Sequence, residues 1–322
     1  MNKPFCCVLL LASLSLCLLS CGDGSADGGS GGEAPCNART GTTCESLLVN
    51  GKKRTYLQHV PANFQQNTSA LVIVLHGSGG SGLDMESSTA FSTLAEQTGF
   101  AVVYPDGLVE PSTGQPDWAY FFNDFADDVS FLRQLINAVQ GSVRPDPRKI
   151  YVTGFSAGAF MSYRLGVELS NLIAAIGAVE GAVSSNGNPQ AVPDAAGPVS
   201  VLMLHGDADA SVLYCGSSVD ASQDESFNYW TSTSANHCSM VDPPMALCDA
   251  QGNITMVIEK SATGCSGNTE VKFYKLLGGT HAWNTGPMNV PGAAPFNPSF
   301  DSTTGITTRD IVWKFFAAHP KP

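Results

Sequence analysis

An α/β architecture, a mostly parallel central sheet flanked by helices and entered through an antiparallel N-terminal hairpin, is what the sequence predicts, on three observations. Continuous apolar runs occur at 70–75, 100–104, 149–153, 173–179, 199–204 and 271–277. They read as strands buried on both faces, since a strand with one wet face would alternate. Segments with apolar residues at helical spacing, 89–97, 126–139, 157–169, 222–234 and 308–319, are interleaved with those runs, and such alternation implies parallel strands joined by right-handed helical crossovers. Finally, Asn50-Gly51 sits between the strand-like stretches 46–49 and 52–60, the strongest signal for a two-residue hairpin.

In chain order, residues 1–21 come first. They carry Lys3, an apolar stretch over 8–19 and then Ser20-Cys21, the layout of a secretory signal too short to span a membrane stably. Leu18-Leu19-Ser20-Cys21 resembles a bacterial lipoprotein box, which implies cleavage before Cys21 and lipidation of its thiol. A lipoprotein at the cell surface or facing the periplasm is therefore expected, with free extracellular release as the alternative. Residues 22–35, GDGSADGGSGGEAP, offer almost no side chain to bury, so they should form a flexible tether of about 20 Å. Residues 36–322 contain no internal linker or repeat and are expected to fold as one large domain.

Six cysteines fall in that domain: Cys36, Cys44, Cys215, Cys238, Cys248 and Cys265. An even count in an oxidising compartment permits up to three disulfides, with Cys36 and Cys44 as the natural local pair. No CxxC pair and no HExxH occurs, so no metal is expected. The net charge of −12, with only 14% charged residues, leaves no basic surface to neutralise phosphates, which excludes nucleic acid as a partner class. Contact with a membrane is expected only through the lipid at Cys21.

Chemistry in open parallel sheets collects at the carboxyl ends of strands, and this filters the candidate residues. The run 149–153 enters Gly154-Phe155-Ser156-Ala157-Gly158, the pattern of a nucleophile elbow, which nominates Ser156. A second match, Gly28-Gly29-Ser30-Gly31-Gly32, has no strand before it. A serine needs an imidazole base within hydrogen-bond reach. Of the six histidines, His59 falls in an early strand, His237 beside a cysteine and His319 at the chain end. His76 and His205 precede glycines of tight turns, where structural hydrogen bonds are expected. His281, after the last apolar run, remains. For the carboxylate that orients the base, Asp209 is preferred over Asp207, which is closer to the Gly206 turn and so expected to bond backbone; Asp106 is third. The order Ser, Asp, His is that of α/β-hydrolases.

The oxyanion requires two aimed donors, for which the backbone N–H groups of Ala157 and Ser78 are the candidates. The Gly-rich segment around Ser78 contains no GxxxxGK[ST], so it is not read as a phosphate loop and no cofactor is expected. Asp127-Asp128 opens a helix, where negative charge is favoured, and is read as structural. Trp283, two residues after His281, and Trp118, in the aromatic cluster 118–122, are candidates for lining a substrate cleft.

From about residue 47 onward the chain resembles the polyhydroxybutyrate depolymerase and feruloyl esterase group of secreted α/β-hydrolases. The resemblance rests on LVIVLHGSGGSG (71–82), GFAVVYPDG (99–107), DDVSFLRQLI (127–136), DPRKIYVTGFSAGAFMSYRL (146–165), HGDAD (205–209) and GGTHAWNTG (278–286). It implies a serine carboxylic-ester hydrolase working through an acyl-enzyme, with Ser156 as nucleophile, Asp209 as acid and His281 as base. It also implies a Cys238–Cys265 disulfide and an ester substrate, either a polyester oligomer or a plant-wall ester. After the histidine the group usually reads Thr-Trp-Pro-Gly, whereas Ala282-Trp283-Asn284-Thr285-Gly286 lacks the proline, so a different substrate rim is expected. The rival readings are a non-catalytic polymer- or glycan-binding lipoprotein on the same fold, and a serine peptidase.

Overall fold

The computed structural model describes residues 40–121, 127–184, 192–243, 245–248, 254–283 and 307–322. The expected signal over 1–21 with Cys21, the expected tether over 22–35, and Cys36 lie outside these residues.

Two strands, β1 (Thr42–Val49) and β2 (Lys52–His59), pair antiparallel with Val49 opposite Lys52. Asn50 and Gly51 both take positive φ, 50° and 77°, as the Asn-Gly turn anticipates. The six apolar runs become β3 (Leu71–Leu75), β4 (Ala101–Pro105), β7 (Ile150–Phe155), β8 (Ala175–Val179), β9 (Ser200–Gly206) and β13 (Val271–Leu276). They run parallel, in the order β4-β3-β7-β8-β9-β13. β2 extends the sheet antiparallel beside β4. At the opposite edge it is extended by β12 (Ile254–Thr263), which pairs antiparallel with β13, β10 (Met240–Asp242) and β11 (Met245–Cys248). A separate short hairpin, β5 (Leu108–Glu110) and β6 (Gln115–Asp117), follows β4.

Alternation along these strands divides the core in two. Leu71, Ile73, Leu75, Ile150 and Val152 pack with Phe131 and Leu135 of α3 (Asp127–Ser142), Met161 and Tyr163 of α4 (Ala157–Glu168), and Trp230 of α5 (Gln223–Thr231). Val72, Val74, Tyr151 and Leu202 point the other way. They meet Met85 of α1 (Gly82–Thr89), Phe91 of α2 (Phe91–Thr98), and Val312 and Phe316 of α6 (Thr308–Ala318). Helices thus cover both faces, and the parallel strands are dry because each side chain has a helix to pack on. Among the described residues no helix is long and apolar enough to cross a membrane.

Cys238 and Cys265 form a disulfide that ties the end of the α5 region to the turn before β13. Cys44 is also disulfide-bonded. Cys215 is an exposed free thiol, so pairing stops short of the three disulfides that the even count permits.

Candidate active site

Ser156 stands between β7 and α4 with φ 54° and ψ −120°, a backbone conformation that a residue with a Cβ holds only under external constraint. Here the constraint comes from β8 and α4: the Ser156 N–H donates to Val179 O at 3.0 Å, and Ser156 O accepts from Ala159 N at 2.8 Å. Gly158 is required because the helix start is pressed against β3, where a Cβ would lie 2.4 Å from Leu75 O.

The loops after β9 and β13 are stitched to each other, and this brings an acid and an imidazole together from 72 residues apart. Ala208 N donates to Gly279 O at 2.9 Å and Asp207 N to Leu276 O at 3.1 Å, while Asp207 Oδ1 accepts from Gly278 N at 2.6 Å. Gly206 allows this approach, since a Cβ there would sit 2.2 Å from Gly279 O. Asp207 therefore bonds backbone, as expected, although the backbone of a neighbouring loop. Asp106 is likewise occupied by Gly82 N and Thr55 Oγ1.

With those loops fixed, His281 Nδ1 lies 2.8 Å from Asp209 Oδ2 and His281 Nε2 lies 2.9 Å from Ser156 Oγ. Asp209 Oδ1 accepts from Ser211 N at 2.8 Å and Val212 N at 2.9 Å. Burial pushes the Asp209 carboxyl up, but the bonds from His281 and from the Val212 and Ser211 amides outweigh it and hold the pKa at about 2. Asp209 is thus an anion at any working pH. It fixes the proton of the neutral imidazole on Nδ1, leaving the Nε2 lone pair facing the serine hydroxyl.

Gly77 lies against Ser156, whose Cβ a Cβ at position 77 would contact at 3.2 Å. Among the described residues, the N–H groups of Ser78 and Ala157 have no recorded acceptor, whereas Gly79 N is taken by Pro116 O at 2.8 Å and Gly80 N by Gly77 O at 3.0 Å. Ser78 Oγ donates to Asp117 Oδ2 at 2.8 Å, so the β5–β6 hairpin braces this loop. His76 is a strut for the same loop: its Nε2 accepts from Gly107 N at 2.8 Å while Nδ1 donates to Gly77 O at 2.7 Å. Burial lowers its pKa, in keeping with the neutral ring that this pattern demands.

Trp118, expected at a substrate cleft, sits in the core instead. It is 4% exposed, packs its ring tilted against His76 at 4.8 Å, and its Nε1–H donates to His76 O at 2.9 Å. The indole supports the Ser78 loop from behind and does not line a cleft. Trp283 is half-buried and turns its ring onto Phe91 at 6.1 Å, in the core under α2, which makes it a packing residue at this loop's exit. The Asn284–Gly286 departure lies outside the described residues. Asp128 accepts from Arg54 Nη2 at 2.6 Å and from Ala119 N at 2.7 Å, the structural role expected for it. What the sequence did not single out is Phe160, whose N–H bonds Ser156 O at 3.1 Å. Tyr120 packs on it at 5.1 Å, and with Ala182 and Val212 they make a small buried apolar cluster.

Among the described residues, one trio of metal-ligating side chains, Glu180, His205 and Asp209, brings its ligand atoms within 4.8 Å of one another. The His205 nitrogen facing the two carboxyls is Nε2, and it is committed as a donor to Val212 O at 2.8 Å. A nitrogen carrying a proton has no lone pair to give, so this trio is a hydrogen-bond cluster.

A doubly covered parallel sheet that sets a strained serine at the turn after one strand, and a carboxylate and an imidazole on later strand-end loops, defines an α/β-hydrolase. The chain belongs to the esterase PHB depolymerase family, whose model matches residues 54–223, more than half of the sequence. It is similar to a Nocardia uniformis subsp. tsuyamanensis protein assigned as an esterase, NocK, with 34% identity over 52% of this chain and 48% of that one. It is also similar to feruloyl esterase B of Piromyces equi, with 28% identity over 73% of this chain and 44% of the relative. The chain thus spans about half the length of these relatives. Among solved structures, an acetyl xylan esterase from Aspergillus awamori superimposes with a TM-score of 0.54 at 16% identity, covering 74% of this chain and 94% of the other. At that identity the likeness is one of fold.

Proposed function

We propose that this protein hydrolyses carboxylic esters through an acyl-enzyme. The observation that carries the reading is the unbroken relay from Ser156 Oγ through His281 to Asp209, with links of 2.9 and 2.8 Å. Ser156 Oγ attacks the ester carbonyl carbon as its proton passes to His281 Nε2, and the imidazolium is stabilised by Asp209. The N–H groups of Ser78 and Ala157 receive the oxyanion, each contributing about 3 kcal/mol to the transition state. The intermediate collapses, His281 protonates the departing alcohol, and water then releases the acid by the same steps. Neither step calls for a cofactor.

The names of the relatives, feruloyl and acetylxylan esterases, support a plant-wall ester, and the family description supports a polyester oligomer. Residues 1–21 act in this reading as a lipoprotein-type signal and 22–35 as a tether from a lipid on Cys21, which places residues 36–322 outside the cytoplasm. Palmitate labelling of the whole chain, abolished in Cys21→Ala, tests that anchor. For the chemistry, purified protein and its Ser156→Ala variant are compared on a short-chain nitrophenyl ester. Loss of about 10³-fold or more in the variant is expected, and equal rates would refute the proposal.

A further inference from the structure

Glu180 follows β8 directly and is fully buried. Its backbone takes a positive φ of 54°, conformational strain that persists only where the surroundings hold it in place. Gly206 N donates to both carboxyl oxygens, at 3.2 and 3.0 Å, and the Glu180 amide donates to Leu204 O at 2.9 Å. Two further titratable groups face it. His205 Nε2 lies 3.6 Å from Glu180 Oε2 and 3.4 Å from Asp209 Oδ2, and the Glu180 and Asp209 carboxyls approach each other to within 4.8 Å in the same cluster. His281 is reached only through Asp209.

Two carboxyl groups can share a hydrogen bond only if one of them keeps its proton. Asp209 is the one held as an anion, by the imidazole and two backbone amides; Glu180 has one amide and no cation to offset the loss of water. Burial accordingly drives the Glu180 carboxyl well above the usual carboxylate range, while it lowers the His205 imidazole. The cluster then carries a single negative charge, on the group that faces His281.

We propose that Glu180 is a positioning residue for the relay: as a neutral carboxylic acid wedged between β8 and the loop after β9, it donates a hydrogen bond to Asp209 and keeps that carboxylate turned toward His281. This rests on the esterase reading for its effect on catalysis, but not for its effect on stability. The donor limits the basicity of Asp209 and its freedom to rotate without adding a second charge beside the carboxylate.

The test uses Glu180→Gln, which keeps a neutral donor of the same shape, and Glu180→Ala, which removes it. On a nitrophenyl ester, Glu180→Ala should lose about tenfold or more in kcat, with the acidic limb of kcat/KM moved to higher pH, because an Asp209 without its donor binds the imidazolium more strongly. Glu180→Gln should recover most of that loss and return the limb to the parent position. A Glu180→Gln limb displaced downward by about one pH unit would mean that a negative charge had been removed, and would overturn the proposal. So would Glu180→Ala kinetics identical to the parent.

A second readout needs no activity. An acid whose pKa is raised by folding contributes stability below its ordinary range and loses it as pH rises toward the folded pKa. The urea midpoint of Glu180→Gln should therefore gain on that of the parent as pH increases from about 4 to 8. A gap independent of pH would show Glu180 titrating as a free carboxyl and overturn the proposal, whichever way the ester assay falls and even if Glu180→Ala does not fold.

Discussion

Replacing Asp209 by asparagine changes one atom's chemistry and leaves the volume unchanged, and the structure specifies which way the new amide must point. The Oδ1 site accepts from the Ser211 and Val212 amides at 2.8 and 2.9 Å, which only the carbonyl of asparagine can do. The NH₂ must then occupy the Oδ2 site, 2.8 Å from His281 Nδ1. There it donates to Nδ1, so the imidazole proton moves to Nε2 and faces Ser156 Oγ with no lone pair to receive the hydroxyl proton. Loss of the base tautomer costs about 10⁴-fold in kcat, or about 5 kcal/mol of barrier. Folding is affected far less, because both turn amides keep their acceptor. The change should amount to about 1–2 kcal/mol, from losing the ionised partner of the imidazole. The assay is nitrophenyl ester hydrolysis beside urea unfolding of Asp209→Asn. A folded variant that loses less than about tenfold in kcat would refute the tautomer argument and the assignment of Asp209 as the orienting acid.

Two more outcomes are expected. Trp118→Phe keeps the ring against His76 but leaves the His76 carbonyl, bonded at 2.9 Å in the parent, without its donor; stability should drop by about 1–3 kcal/mol. Because that carbonyl leads into Gly77 and Ser78, kcat should fall several-fold with KM little changed, and an unchanged kcat would separate the indole from the Ser78 loop. Glu270 accepts from Lys272 Nζ at 2.6 Å and His319 Nε2 at 3.0 Å. Burial raises its pKa, but His319 and Lys272 overcome this and bring it from 4.5 to about 2. A depressed acid contributes stability above its unfolded pKa and loses it as pH falls through the folded one. Glu270→Gln should therefore cost about 1–2 kcal/mol near neutrality, after allowance for screening, and the cost should fade below about pH 4 toward pH 2. Urea midpoints at the two ends of that range check it, and a cost that does not change with pH would contradict the ion-pair account.

Much of the fold was legible because the six central strands are buried on both faces and therefore had to be written as unbroken apolar runs. The hairpin was legible from Asn50 and Gly51 alone. The missed elements lack such constraints. α1, with the sequence GLDMESST, buries Glu86 and Thr89 beside Met85, so its inward face mixes polar with apolar; it is fixed by the Ser81 cap and by Asp106 at Gly82 N. β5 and β6 are three residues each, too short for alternation to register. β12 lies toward the sheet edge, and its mixed sequence ITMVIEKSAT reads as neither buried run nor clean alternation.

At the site, strand-end position identified Ser156, Asp209 and His281 because the topology places every such loop on one rim. Trp118 was misjudged for a reason of the same kind: composition shows an aromatic near a loop but not which side of the loop it supports. Glu180 stands at a strand end as well, directly after the run 173–179. It escaped notice because a lone glutamate after a strand reads as ordinary surface, and only the neighbouring loop, arriving with Asp209 and Gly206, turns it into an interior group.

One peptide unit carries two duties. The carbonyl of Val179 holds the backbone of Ser156, and the next side chain, Glu180, lies in one cluster with Asp209, at the other end of the Ser156–His281–Asp209 chain of contacts. A small slide of β8 along its neighbours would disturb both ends at once. Such coupling leaves little room for partial misalignment, so variants that loosen this strand should divide between nearly intact turnover and almost none.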